Sequence, residues 1–216
     1  MTDYLKGTEP TPPNADDKST NQRGLVHFYD WQNVLRKKHP GTARHTMTSL
    51  PGIEPLATNP IHPGTRIGHV HLKVADLERA LGFYCGVLGF QLTQRYGRDA
   101  AFISAGGYHH HIGLNTWESK GGSPPPPGTT GLYHTAILYP TRAALADALK
   151  RLIAAGIHLT GASDHGVSEA LYLNDPDGNG VELYWDRAEA DWPRDTSGGL
   201  AMITQRLDLQ ALLAAA

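Results

Sequence analysis

Two histidines and one glutamate in this chain fall where they could hold a metal ion together. His69 lies in "IGHVHLKV", His134 in "YHTAILY" and Glu182 in "NGVELYW". Imidazole nitrogen and carboxylate oxygen are donors that divalent transition metals accept, and two imidazoles with one carboxylate leave several positions of an octahedral ion open. That arrangement suits Fe(II) reacting with O2. The single cysteine, Cys85, offers neither an internal disulfide nor a thiolate cluster, so any transition metal must be held by His and carboxylate.

All three residues sit in stretches that read as half-buried strands, whose successive side chains face opposite ways. His69, His71 and Lys73 therefore share one face of their strand, and Val70, Leu72 and Val74 share the other. In "NGVELYW" the residues Val181, Leu183 and Trp185 form an apolar face that can pack on helices, which turns Glu182 and Tyr184 the opposite way. A solvated outer face would explain any one of these polar residues alone. Repetition argues for more than that.

From Arg66 onward one pattern occurs twice. The strand "RIGHVHLKV" is followed by Asp76 as an N-cap for "LERALGFYCGVLG", in which Leu77, Leu81, Tyr84 and Leu88 share a helical face. Strand-like runs follow at "FQLTQRYG", "AAFISAG" and "HHHIGLNTW". The second pass begins with "GLYHTAILYP". Thr141 then caps "RAALADALKRLIAAG", whose stripe is Leu145, Leu149, Leu152 and Ile153, and "IHLTGA", "EALYLND" and "NGVELYW" follow as strands. Each module is βαβββ. The repeat aligns the sequence with itself: His69 and His134, 65 residues apart, occupy the same place in their opening strands, and Glu182 has Gly113 as its counterpart.

The expected fold is α+β: two βαβββ modules forming a cupped mixed sheet around a metal site, with helices outside. Module one covers about 66–118, module two about 130–187, and a tail runs over 188–216. The Gly- and Pro-rich "ESKGGSPPPPGTTG" between modules reads as irregular. Residues 1–60 are rich in Pro, Thr, Asn and Asp and read as a flexible N-terminal extension, with Met47 an alternative start; His27, His39 and His45 lie there and are assigned no role.

A formal net charge of -2 and 40% hydrophobic residues in 216 point away from nucleic acid and anionic membrane surfaces and towards a globular protein with a sizeable core. No apolar run is long enough to span a bilayer, and the N-terminal stretch lacks the basic start and apolar middle of a secretory signal. A reducing cytoplasm is the expected compartment.

"GHVHLKVADLERALGFYCGVLGF", "YHTA" and "DPDGNGVELYWD" resemble the vicinal oxygen chelate superfamily, which includes glyoxalase I, bleomycin-resistance proteins and extradiol ring-cleaving dioxygenases. Through "YHHHIGLNTW", "SDHGVSEALYLNDPDGNGVELYWDR" and its tail the chain is most similar to short, two-module catechol 2,3-dioxygenases, over about residues 61–216. "DPDGNGVE" alone is a weak signal, being mainly a tight turn. The resemblance implies that His69, His134 and Glu182 ligate the metal, Fe(II) or else Mn(II). It implies that Tyr172, which shares a strand face with Ala170 and Asn174, bonds a catechol oxygen, and that His165 stands beside it.

The triple histidine admits two placements. Family alignment favours His110 as the acid/base residue, with His111 close behind, whereas strict alternation puts His109 and His111 on the face of Gly113. His71 is a candidate to line the same pocket, and His62 and His158 read as structural or exposed. The activity implied is extradiol cleavage: both atoms of O2 enter an aromatic diol to give a 2-hydroxymuconic semialdehyde type of product, in a homo-oligomeric enzyme. The alternatives are a glyoxalase-like metal-dependent lyase or isomerase, which wants a fourth ligand where this chain has Gly113 unless a neighbouring histidine substitutes, and a metal-free binding or resistance protein, which should lack the ligands.

Overall fold

The computed structural model describes residues 60–215; the expected N-terminal extension, with His27, His39, His45 and Met47, lies outside them. Module one runs β1 (Val70–Lys73), α1 (Leu77–Leu81), a π-helical turn (Gly82–Val87), β2 (Gln91–Tyr96), β3 (Ala100–Ser104) and β4 (Ile112–Asn115). Module two runs β5 (Thr135–Leu138), α2 (Arg142–Ala154), β6 (Gly161–Asp164), β7 (Ser168–Asn174) and β8 (Gly180–Asp186). Both are βαβββ units, and the fold is α+β as expected. The strands bond into two mixed sheets, β1-β4-β3-β2 and β5-β8-β7-β6, and in each the opening strand lies parallel to the closing one.

Local chemistry sets the helix starts. The Asp76 side chain accepts from the Arg79 backbone N–H, and the Thr141 hydroxyl accepts from that of Ala144. After Leu81 the helix of module one widens, with Leu88 N–H bonding the carbonyl of Phe83. The wider turn carries the sequence neighbours Phe83 and Tyr84 both into the core. The expected stripe Leu77, Leu81, Tyr84 and Leu88 is buried throughout. In α2 the stripe is Leu145, Leu149 and Leu152, but Ile153 is 58% exposed, because it stands one position past the packed face at the end of the helix.

Two strand expectations need correction. Of "IHLTGA" only Gly161 and Ala162 enter β6, since the Ile157 N–H is taken by the carbonyl of Leu152 in closing off α2. The three histidines precede β4 instead of belonging to it. The tail, to which the sequence reading assigns no element, holds a short 3-10 turn (Glu189–Asp191), a strand β9 (Gln205–Arg206) pairing antiparallel with β6, and a helix α3 (Leu209–Leu213). No helix among the described residues is long and apolar enough to cross a membrane.

One core joins the modules. Leu72, Val74, Ile112 and Leu114 of the first pack into the same buried cluster as Leu145, Leu149, Leu171 and Leu183 of the second, and Leu207 and Leu212 of the tail close it. The turn "DPDGNG" does more than reverse the chain. Asp175 accepts the Tyr84 hydroxyl at 3.0 Å across the module boundary, along with the Asn179 amide and the backbone N–H groups of Asp177 and Asn179. Asp177 accepts from Ala75 N–H and from the Arg79 guanidinium. Burial, then the neighbouring Asp175 charge, pushes the Tyr84 phenol well above its usual range, so it remains a donor. Tyr84→Phe is expected to lower unfolding free energy by about 1.5–3 kcal/mol, the range for a hydrogen bond to a charged group. A lowered urea midpoint at unchanged slope is the measurement.

Candidate functional site

The parallel pairings set the site's frame. In module two Thr135 pairs with Val181 and Ala136 with Glu182; in module one Val70 pairs with Ile112 and His71 with Gly113. The two ladders are in the same register, so Gly113 and Glu182 occupy equivalent positions. His69 and His134 each stand one residue ahead of their strand, rather than inside it. The two modules solve the packing at this position in opposite ways. Module two sets small Ala136 beside Glu182, whereas module one sets His71 beside Gly113, with the imidazole 2.9 Å from where a Gly113 Cβ would stand.

The module-two residues form one connected group. Tyr172 and Glu182 face each other across β7 and β8, and the phenol donates to Glu182 Oε1 at 3.1 Å. Glu182 Oε2 lies 2.9 Å from His134 Nε2. His165 Nε2 reaches the Tyr172 oxygen at 2.8 Å from the turn between β6 and β7. Burial first, and then the Glu182 carboxylate, raises the Tyr172 phenol well above its ordinary value, which keeps its proton in place. Glu182 is largely shielded from solvent, with 13% of its side chain exposed, against 30% for His134. Its strand neighbours Val181 and Leu183 are buried in the core, so the carboxylate points away from it, as the alternation predicts.

The module-one residues gather separately. The His69 ring lies 4.4 Å from that of His110, which also meets the Phe102 ring at a tilt, with centroids 4.9 Å apart. His110 Nδ1 is 2.8 Å from His109 Nδ1, so one ring donates and the other accepts. His111 instead turns to Ser104, its Nδ1 taking the hydroxyl at 3.0 Å and the Ala105 N–H at 3.3 Å. Among the three, His110 is thus the neighbour of His69. Strand alternation misplaces it because all three precede the first ladder residue, Ile112. Burial, followed by the neighbouring histidines with His69 foremost, lowers the basicity of His110, and burial and then His69 lower that of His71. His71 lies against Phe102 and Trp117 on the same sheet face.

His134 and Glu182 suit a divalent cation in donor chemistry, an imidazole nitrogen and a carboxylate oxygen converging at 2.9 Å. The buried His134 Nδ1 has no partner among the described residues. His69 is not drawn up to this pair: among the described residues no group of three His, Cys, Asp or Glu side chains is close enough to hold an ion. The two-residue set therefore fits and the three-residue set is not assembled. A cleft of about 540 Å³ between the start of α1 and Lys120 contains none of these residues. Sequence reasoning missed two neighbours of His165, the carbonyl of Ile203 and the hydroxyl of Thr204, which touch Nδ1 at 3.1 and 3.3 Å. Nothing periodic marks that part of the tail.

Paired βαβββ modules in matching register are the architecture of a known family, and the model of the Glyoxalase/Bleomycin resistance protein/Dioxygenase superfamily matches residues 66–183. The chain belongs to that superfamily. It is 46% identical over 154 residues to catechol-2,3-dioxygenase of Bacillus subtilis (strain 168), covering 71% of this chain and 53% of that protein. It is 34% identical over 121 residues to biphenyl-2,3-diol 1,2-dioxygenase 2 of Rhodococcus globerulus, covering 56% of this chain and 63% of that one. The chain thus spans between half and two thirds of these relatives' length. Among solved structures, a glyoxalase/dioxygenase from Nostoc punctiforme superposes with a TM-score of 0.50 at 19% identity, covering 62% of this chain and all of that one, and shares the fold.

Proposed function

We propose that the chain is an extradiol ring-cleaving dioxygenase that inserts both atoms of O2 into a catechol-type diol, giving a 2-hydroxymuconic semialdehyde type of product. The observation that carries this reading is the unbroken line His165–Tyr172–Glu182–His134, with heavy-atom separations of 2.8, 3.1 and 2.9 Å. It links two residues suited to bind a diol oxygen to two suited to bind an ion. The similarity to dioxygenases that act on vicinal diols supports it.

In this reading His134 and Glu182 would hold Fe(II), or else Mn(II), and His69, which stands apart from the pair in this structure, would have to move in to complete the set. Such an ion, when bound, acidifies diol hydroxyls and connects the ring electronically to O2. The protein's own groups do the positioning. Tyr172, held in its protonated form, presents its O–H towards the carboxylate side of the site and orients a diol oxygen placed there. His165 stabilises negative charge arising on that oxygen through Tyr172. His110, half-buried against His69 and Phe102, is the group from which a proton reaches the O2-derived oxygens. The lyase or isomerase alternative wants a donor at the position of Gly113, where the group standing close is the neighbouring ring of His71.

The test is oxygen uptake by protein purified without air and loaded with Fe(II), on addition of catechol. Uptake accompanied by a yellow ring-fission product, and lost when the metal is stripped, is expected. Iron-replete protein that consumes no O2 with simple and substituted catechols would overturn the assignment.

A further inference from the structure

We infer that the C-terminal strap is a working part of the site, in which the Thr204 hydroxyl, against the opposing pull of the Ile203 carbonyl, fixes the tautomer of His165 so that its Nε2–H points at the Tyr172 oxygen. Thr204 is then a positioning residue for the activity proposed above, and only the activity measurement below rests on that reading.

Tyr172 has one proton, and it is donated to Glu182 Oε1, which as a carboxylate oxygen can only accept. The contact of 2.8 Å between His165 Nε2 and the Tyr172 oxygen therefore requires the hydrogen to be on Nε2. A neutral imidazole with Nε2–H has a bare Nδ1. The Ile203 carbonyl at 3.1 Å cannot satisfy that nitrogen, and the Thr204 hydroxyl at 3.3 Å can. Without Thr204 the carbonyl favours the opposite tautomer, with hydrogen on Nδ1, and the bond from Nε2 to Tyr172 is lost. Tautomer choice by the partner of the far ring nitrogen is a general property of histidine.

The strap is built to stay in place. Ile203 N–H bonds the carbonyl of His165 at 3.1 Å, and Gln205 and Arg206 pair with Asp164 and Ser163. Leu207, next in the chain, is buried, and upstream the Trp192 indole donates to the carbonyl of Arg187. Gly166, at φ +75°, lets the strap approach so closely that an added Cβ would lie 2.9 Å from Pro193 Cγ and 3.1 Å from Ile203 Cγ1. His165 thus sits between a rigid hairpin turn and an anchored tail.

The experiment compares wild type, Thr204→Val and Thr204→Ser, with histidines labelled in nitrogen-15 and the protein metal-free at mildly alkaline pH; His165→Gln assigns the signal. Wild type and Thr204→Ser should show His165 protonated on Nε2 with a hydrogen-bonded Nδ1. Thr204→Val should move the hydrogen to Nδ1 or abolish the bonded character of that nitrogen. In iron-loaded protein, kcat for catechol should fall about fivefold in Thr204→Val, the scale of one neutral hydrogen bond, with KM unchanged and serine restoring the rate. Wild-type His165 carrying its hydrogen on Nδ1, or nitrogen signals identical in Thr204→Val and wild type, would overturn the inference. Absence of O2 consumption in wild type would instead sink the dioxygenase assignment, while the nitrogen signals still decide the role of Thr204.

Discussion

Glu182→Gln is expected to weaken Fe(II) or Mn(II) binding by more than about 100-fold, since even groups that only support a ligand act on a scale of about 10–100-fold. Catechol-dependent oxygen uptake should fall with it. The substitution keeps the shape of the side chain and removes its charge, which serves two neighbours. His134 Nε2 lies 2.9 Å from one carboxylate oxygen and Tyr172 donates to the other. An amide in the same place can still accept from Tyr172, but its NH2 then faces His134 and contributes no anionic donor to a cation. Folding should be unaffected, because Val181 and Leu183 carry the packing of this strand while the Glu182 side chain points out of the core. Calorimetric titration with Mn(II), beside an unfolding curve, separates the two effects. A variant that binds the ion as wild type does would remove Glu182 from the ligand set.

Much of this arrangement is legible in the sequence because it rests on short-range periodicity. Asp76 and Thr141 start their helices through bonds three residues away, and the apolar faces of β1 and β8 follow from alternation alone. The repeat predicts that Gly113 and Glu182 correspond, and the parallel ladders place them in one register. What the sequence hides is what depends on distant chain or on irregular backbone. His110 meets His69 from a bend that obeys no strand phase. Likewise the strap over His165 is held by a two-residue strand, a buried leucine and a glycine-sized gap, none of which has a periodic signature. The bond of Tyr84 to Asp175 joins the two modules through residues 91 apart in the chain, beyond any local pattern.

Gly180→Ala should be the most damaging single-methyl change in the module-two site. Parallel pairing sets Thr135 opposite Val181, so the residue before each strand pair brings His134 against Gly180. A Cβ at position 180 would run into the carbonyl oxygen of Tyr133 and come within 3.1 Å of the Cα and Cβ of His134. Two of these three contacts are with backbone, so no rotamer change relieves them, and β5 must move away from β8. Overpacking costs about 1–3 kcal/mol where side chains can yield, and more where they cannot, so a loss of about 3 kcal/mol or more is expected. The displaced strand carries His134, and the 2.9 Å approach to Glu182 Oε2 should open with it. Thermal unfolding and Mn(II) titration should therefore fail together in Gly180→Ala, whereas Gly178→Ala two residues earlier, with only Pro124 side-chain atoms 3.5 Å from the added methyl but a φ of +81°, should lower stability and spare metal binding. Equal loss of metal binding in both variants would mean that the turn as a whole, and not the close approach of His134 to Gly180, sets the ligand pair.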